Sequence, residues 1–204
     1  GCEGKTNFVN LFTGLWVIQQ CYERWCKDAG KKIGWNTVVS EAEKARSGKV
    51  FIDLDAPEFA QPNPNMPLEI QKYCQKNGQE VPEGIGEISR CIFESLVLKF
   101  KQCYCDVQRF TGKKTRVLYL VGGGSKNKLL CQWTADALGI PVMAGPAETT
   151  SVGNLLLQLK ASKEIDSLDD GRRIAGASAD SKEYLPSDSE KWDEYYNRYY
   201  NSRN

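Results

Sequence analysis

Residues 116–121, Arg-Val-Leu-Tyr-Leu-Val, run straight into three consecutive glycines, Gly122–Gly124. No other junction in the chain restricts the fold as strongly. The run is short, almost continuously apolar and rich in β-branched and aromatic side chains, the pattern of a strand covered on both faces. Helical spacing follows from Lys126 to Leu138, Gly139 stops it, and a second apolar run covers Ile140 to Met143. Strand, glycine turn, helix and strand in that order predict one crossover unit of a parallel sheet. The class is therefore α/β.

The rest of the sequence reads mainly as helices. Phe8, Leu11, Phe12, Leu15, Trp16, Ile18 and Trp25 predict a long, largely buried helix from Asn7 to Ala29, with Trp16 and Trp25 in the core. Further helices are predicted over Thr37 to Arg46, from Pro67 to Asn77 with Gly78 as its stop, and from Gly86 to Phe110 with Gly112 as its stop. A short strand is expected at Val50 to Leu54, followed by an ordered, proline-interrupted loop to Met66. Beyond Pro146, Thr150 or Ser151 is expected to cap a helix to Ala161, and a short helix covers Leu168 to Ala175. Residues 177–189 read as a polar linker. The tail carries Trp192, Tyr195, Tyr196, Tyr199 and Tyr200 at helical offsets, an amphipathic helix that docks on its own domain or on a neighbour. Residues 1–6 read as a tag scar or disordered start, 7–176 as one lobe without a composition change, and 177–204 as linker and tail.

Composition limits the chemistry. The chain has no histidine, which excludes Ser/His/Asp and Cys/His nucleophiles and His-ligated metal sites. Its eight cysteines form no Cys-x-x-Cys pair, so zinc ribbons and thioredoxin-like redox motifs are unsupported, and a reducing cytoplasm is expected. One pairing stays open, Cys74 with Cys91, on consecutive helices. A net charge of +1 gives no pull toward nucleic acid or anionic membrane. The longest apolar run, Val117 to Val121, is far short of the roughly 20 residues of a membrane span. A soluble protein with neither nucleic acid nor membrane as partner is expected.

The glycine junction is the sharpest chemical feature. A phosphate or ribose can approach main chain that carries no β-carbon, and ligands of open parallel sheets sit outside the carboxyl ends of the strands. The named phosphate-binding fingerprints do not fit, because Asn127 stands where the dinucleotide pattern needs glycine and Asn127-Lys128-Leu129 where the Walker pattern needs Gly-Lys-Ser/Thr. A nucleotide site and a tight packing turn both remain open. Asp53, Asp55 and Glu58 could hold Mg²⁺ or a substrate hydroxyl, although a solvated turn explains them more simply.

Several motifs in order carry a resemblance. Val121-Gly-Gly-Gly-Ser-Lys-Asn, Gln132 with Thr134-Ala-Asp-Ala-Leu-Gly-Ile-Pro-Val, and Ala144-Gly-Pro-Ala-Glu-Thr-Thr-Ser-Val-Gly-Asn-Leu resemble the adenosine-binding segment of the FGGY carbohydrate kinases. Gly14-Leu-Trp, Asp53-Leu-Asp-Ala-Pro-Glu-Phe, Asn65-Met-Pro, Val81-Pro-Glu and Arg90-Cys-Ile-Phe-Glu-Ser-Leu resemble that family's rhamnulokinase and L-fuculokinase branch. The resemblance implies an actin-like, ribonuclease-H-like ATPase lobe with a short mixed or parallel sheet and several long helices. It implies that this chain is the carboxy-terminal lobe of a kinase that passes the ATP γ-phosphate to a hydroxyl of L-rhamnulose, L-fuculose or a related ketose. On that reading ATP and Mg²⁺ are the cofactors, Mg²⁺ held mostly by the other lobe. The catalytic base lies outside this chain, which is then inactive or nearly so alone. The nucleotide contacts carried over are Gly122, Gly123, Gly124, Ser125 and Asn127, with Gln19 from the Gly-Leu-Trp-x-x-Gln motif. The alternative is a non-enzymatic α/β binding or interaction module with a structural glycine turn. Which ketose is taken and whether the protein is a homo-oligomer stay open.

Overall fold

From Ile88 to Lys99 every residue of one helix is buried, so other elements must surround it on all sides. The computed structural model describes residues 9–146, 148–178 and 181–201. The readings of residues 1–6, Asn7 and Phe8 lie outside them. The buried stretch belongs to α4 (Gly84–Thr111), and α1 (Trp16–Asp28), α2 (Trp35–Lys44) and α8 (Glu190–Asn201) pack on it, with α3 (Met66–Lys76) against α1. Together they form one compact unit, the described residues up to Lys114 with those from Asp188 onward. The aromatic tail helix therefore docks within its own unit, burying Trp192 and Tyr199.

A buried ion pair organises this unit. Arg90 Nε meets Glu94 Oε1 at 2.7 Å, one helical turn apart on α4. Arg90 Nη1 donates to the carbonyls of Ala42, Glu43 and Ala45 at 2.8 to 3.1 Å. Those lie at the carboxyl end of α2, where helix carbonyls have no intrahelical donor. Glu94 accepts from the Gly48 N–H and from Ser47 Oγ, each at 3.0 Å. The same loop receives α8, through Tyr195 to Ser47 and Arg198 to the Gly48 carbonyl. Gly86 completes the approach of α4 to α2, since a β-carbon there would stand 2.7 Å from the Glu41 carbonyl oxygen.

The start of the first helix, the burial of Trp16 and the strand at Val50 to Leu54 are corrected here, and the open Cys74–Cys91 pairing is decided. The first helix begins at Trp16, not near Asn7, and Leu11 is 90% exposed. Ahead of it the Thr13 N–H donates to Asp55 Oδ1, and Phe12 packs edge-on against Phe100, contacts a helical path would not make. Trp16 is part exposed, whereas Trp25 is buried. Val50 to Leu54 is not a strand: the Phe51 and Ile52 N–H groups are taken by Gln79 Oε1 and Ser95 Oγ, so side chains do what a neighbouring strand would do. Cys74 and Cys91 are free, buried thiols in hydrogen-bond contact. The bond from Cys91 holds Cys74 below the ordinary thiol value, and giving it, together with burial, raises Cys91.

Thr115–Ser187 forms the second unit. Its strands are β1 (Leu118–Leu120), β2 (Val142–Ala144) and β3 (Lys182–Tyr184), in the order β1-β2-β3. β1 and β2 pair in parallel, Leu118 opposite Val142 and Leu120 opposite Ala144, with α5 (Lys128–Leu138) between them in sequence. β3 runs antiparallel to β2, so the sheet is mixed. β3 lies inside the stretch that reads as linker. β1 is not covered on both faces, because Tyr119 is 67% exposed. The expected capping role of Thr150 or Ser151 is absent too: α6 (Thr149–Ala161) starts at Thr149, whose hydroxyl donates to the Pro146 carbonyl. α7 (Leu168–Ser178) packs on α6.

Removing one member of a buried pair leaves an uncompensated charge, a loss of about 3 to 5 kcal/mol, whereas an exposed pair is worth about 1 kcal/mol or less. Urea unfolding of this chain should show Glu94→Ala losing stability in the higher range. Asp193→Ala, which releases Lys101 from a 70% exposed carboxylate, should stay within the lower one.

Candidate functional site

At the carboxyl end of β1 the chain makes a turn whose carbonyls face inward. Gly122 takes φ +80° and ψ −163°, a conformation essentially reserved for glycine. Its N–H donates to the Pro146 carbonyl at 3.3 Å, and the Gly145 N–H donates to the Leu120 carbonyl at 2.9 Å. The Gly122 carbonyl accepts twice from Ser125, from the N–H at 3.1 Å and from Oγ at 2.7 Å. The Gly124 carbonyl accepts from the Asn127 N–H at 3.1 Å, closing the short 3-10 turn over Gly123–Lys126.

The opposite side of the turn is open. Among the described residues no atom lies within 4 Å of a β-carbon built on Gly122 or Gly123. Gly122 needs to be glycine for its backbone, but Gly123 does not, since its φ lies outside the left-handed region. Among the described residues none accepts from the N–H of Gly123 or of Gly124. The tight-packing explanation of this glycine run therefore does not reach Gly123.

Ser125 and Asn127 make hydrogen bonds within the turn and α5. Ser125 is bonded to Gly122, and Asn127 Oδ1 accepts from the Leu130 N–H at 3.1 Å, which makes Asn127 the N-cap of α5. Gln19 lies on the exposed face of α1, in the other unit. Sequence reasoning missed Asp136, a buried carboxylate that accepts from Gln132 Nε2 and from the Ser187 N–H, both at 2.9 Å. It fastens the segment after β3 to α5. In the first unit Asp55 is paired with Lys99 and Glu58 with Lys76, so these carboxylates serve the loop. Among the described residues no three Cys, Asp or Glu side chains cluster as a metal site, and no metal step is assigned to this chain.

The profile of the FGGY family of carbohydrate kinases, C-terminal domain, matches residues 1–162. The chain belongs to this family. Rhamnulokinase of Bacteroides thetaiotaomicron is 35% identical over 96% of the chain, and those of Halalkalibacterium halodurans and Bacillus subtilis are 35% and 32% identical over 93% and 94%. The chain spans only 38 to 39% of these relatives. Among solved structures, xylulose kinase of Rhodospirillum rubrum superposes with a TM-score of 0.61 over 91% of the chain and 36% of that protein, at 16% identity. Glycerol kinase of Plasmodium falciparum does so with 0.59 over 88% and 35%, at 17% identity. The fold is thus that of the FGGY sugar kinases, the actin-like ATPase class.

An N-cap replaced by alanine costs about 1 kcal/mol. Asn127→Ala should lower the stability of the chain in urea by that amount, and no change would mean that the bond to Leu130 carries no stability.

Proposed function

We propose that this chain is the ATP-binding lobe of a sugar kinase that transfers the γ-phosphate of ATP to a hydroxyl of a deoxyketohexose. The relatives named rhamnulokinase support L-rhamnulose over L-fuculose as the acceptor. The observation that carries the nucleotide part is Gly123. Among the described residues nothing requires glycine there, whereas a ligand lying flat on the main chain does. Gly122, Gly123 and Gly124 form the floor, with the N–H groups of Gly123 and Gly124 offered to a ribose or α-phosphate oxygen. Ser125 and Asn127 shape its far end.

Phosphoryl transfer of this kind depends on positioning and on stabilising charge, not on imidazole, so a chain without histidine can take part. The sugar hydroxyl attacks the γ-phosphorus in line, and the carboxylate that takes its proton belongs to the remainder of the kinase. By itself this lobe holds one wall of a site, which leaves binding weak and transfer absent. A cytoplasmic place of action belongs to the same proposal.

A side chain at Gly123 fills the space that the nucleotide needs. In the full-length protein Gly123→Val should raise the KM for ATP about tenfold or more, a loss of about 1.4 kcal/mol of binding. The KM for L-rhamnulose should stay unchanged, and an unchanged KM for ATP would refute the assignment. Phosphorylation of L-rhamnulose by the isolated chain would refute the half-site reading.

A further inference from the structure

Gly122 is the one residue of the turn whose backbone only glycine adopts, and both of its polar groups are tied down. The Pro146 carbonyl holds its N–H, at 3.3 Å, while two donors of one residue hold its carbonyl. Of those donors the Ser125 N–H belongs to the 3-10 turn and would be present with any residue at 125. The Ser125 hydroxyl, at 2.7 Å, depends on the side chain. It is also the shorter bond, and it approaches from within a part-buried setting where water competes poorly.

This arrangement decides where the open main chain points. Rotation of the peptide between Gly122 and Gly123 moves the Gly122 carbonyl and the Gly123 N–H together, because both lie in one plane. Glycine at 122 has wide freedom in ψ. A second bond on its carbonyl removes that freedom before any ligand arrives and keeps the Gly123 N–H on the open side. A loop fixed in its bound shape binds more tightly because ordering costs are removed in advance.

We propose that Ser125 is a positioning residue of the nucleotide site: its hydroxyl locks the Gly122 peptide and thereby aims the Gly123 N–H, without itself touching the nucleotide. The proposal rests on the reading of the glycine turn as the nucleotide floor. It changes the part assigned to Ser125 from contact to orientation.

The test uses the full-length protein with ATP and L-rhamnulose. Ser125→Ala should raise the KM for ATP about three- to tenfold, leave the KM for the sugar and the thermal midpoint nearly unchanged, and spare kcat at saturating ATP. Ser125→Thr, which keeps the hydroxyl, should restore the KM for ATP. Because Ser125 acts through Gly122, the two should not behave independently. In a Gly122→Ala background, already displaced from its φ, Ser125→Ala should add less than twofold. An unchanged KM for ATP in Ser125→Ala overturns the proposal, and so does a full additive effect in the double variant, which would mean direct contact. Gly123→Val separates the two levels. If it raises the KM for ATP while Ser125→Ala does not, only the positioning role falls; if neither does, the nucleotide floor itself is wrong.

Discussion

The buried pair of Arg90 and Glu94 is the interaction on which the larger unit depends. Each charge alone would be costly in a desolvated place, and together they still leave donors and acceptors to satisfy. The fold uses all of these: three carbonyls at the end of α2 take the guanidinium, and the Ser47 to Gly48 loop takes the carboxylate. That loop then offers its remaining groups to Tyr195 and Arg198, so the last helix is fastened to the same point. A polar knot fixes which elements meet, and the apolar faces of Ile92, Phe93 and Leu96 supply the burial around it.

The second unit solves a different problem by a similar device. Its turn is held by bonds to the Gly122 and Gly124 carbonyls, while none of the described residues accepts from the Gly123 or Gly124 N–H. The proposed function gives that main chain a nucleotide to hold, and the chain spans only 38 to 39% of the rhamnulokinase relatives it matches.

Much of the fold was legible in the sequence. Runs with 3.6-residue spacing gave α3, α4 and α5, and the glycines at 112 and 139 end α4 and α5 in left-handed caps as expected. The parallel pair β1 and β2 followed from the order strand, turn, helix and strand. What could not be read depends on partners distant in sequence. Val50 to Leu54 has strand composition, yet its N–H groups are claimed by Gln79 and Ser95. β3 is three residues with one buried side chain, too little to make a pattern. At the candidate site the glycine run announced a turn, but the residue types at 125 and 127 could not say that both side chains are spent on the turn and on α5.

The most direct measurement is a crystal structure of the full-length protein with a non-hydrolysable ATP analogue. The ribose and α-phosphate should lie in van der Waals contact with the Gly123 main chain, with the Gly122 carbonyl still held by Ser125. A nucleotide bound elsewhere, with the Gly122 to Gly124 turn bare, would contradict the account.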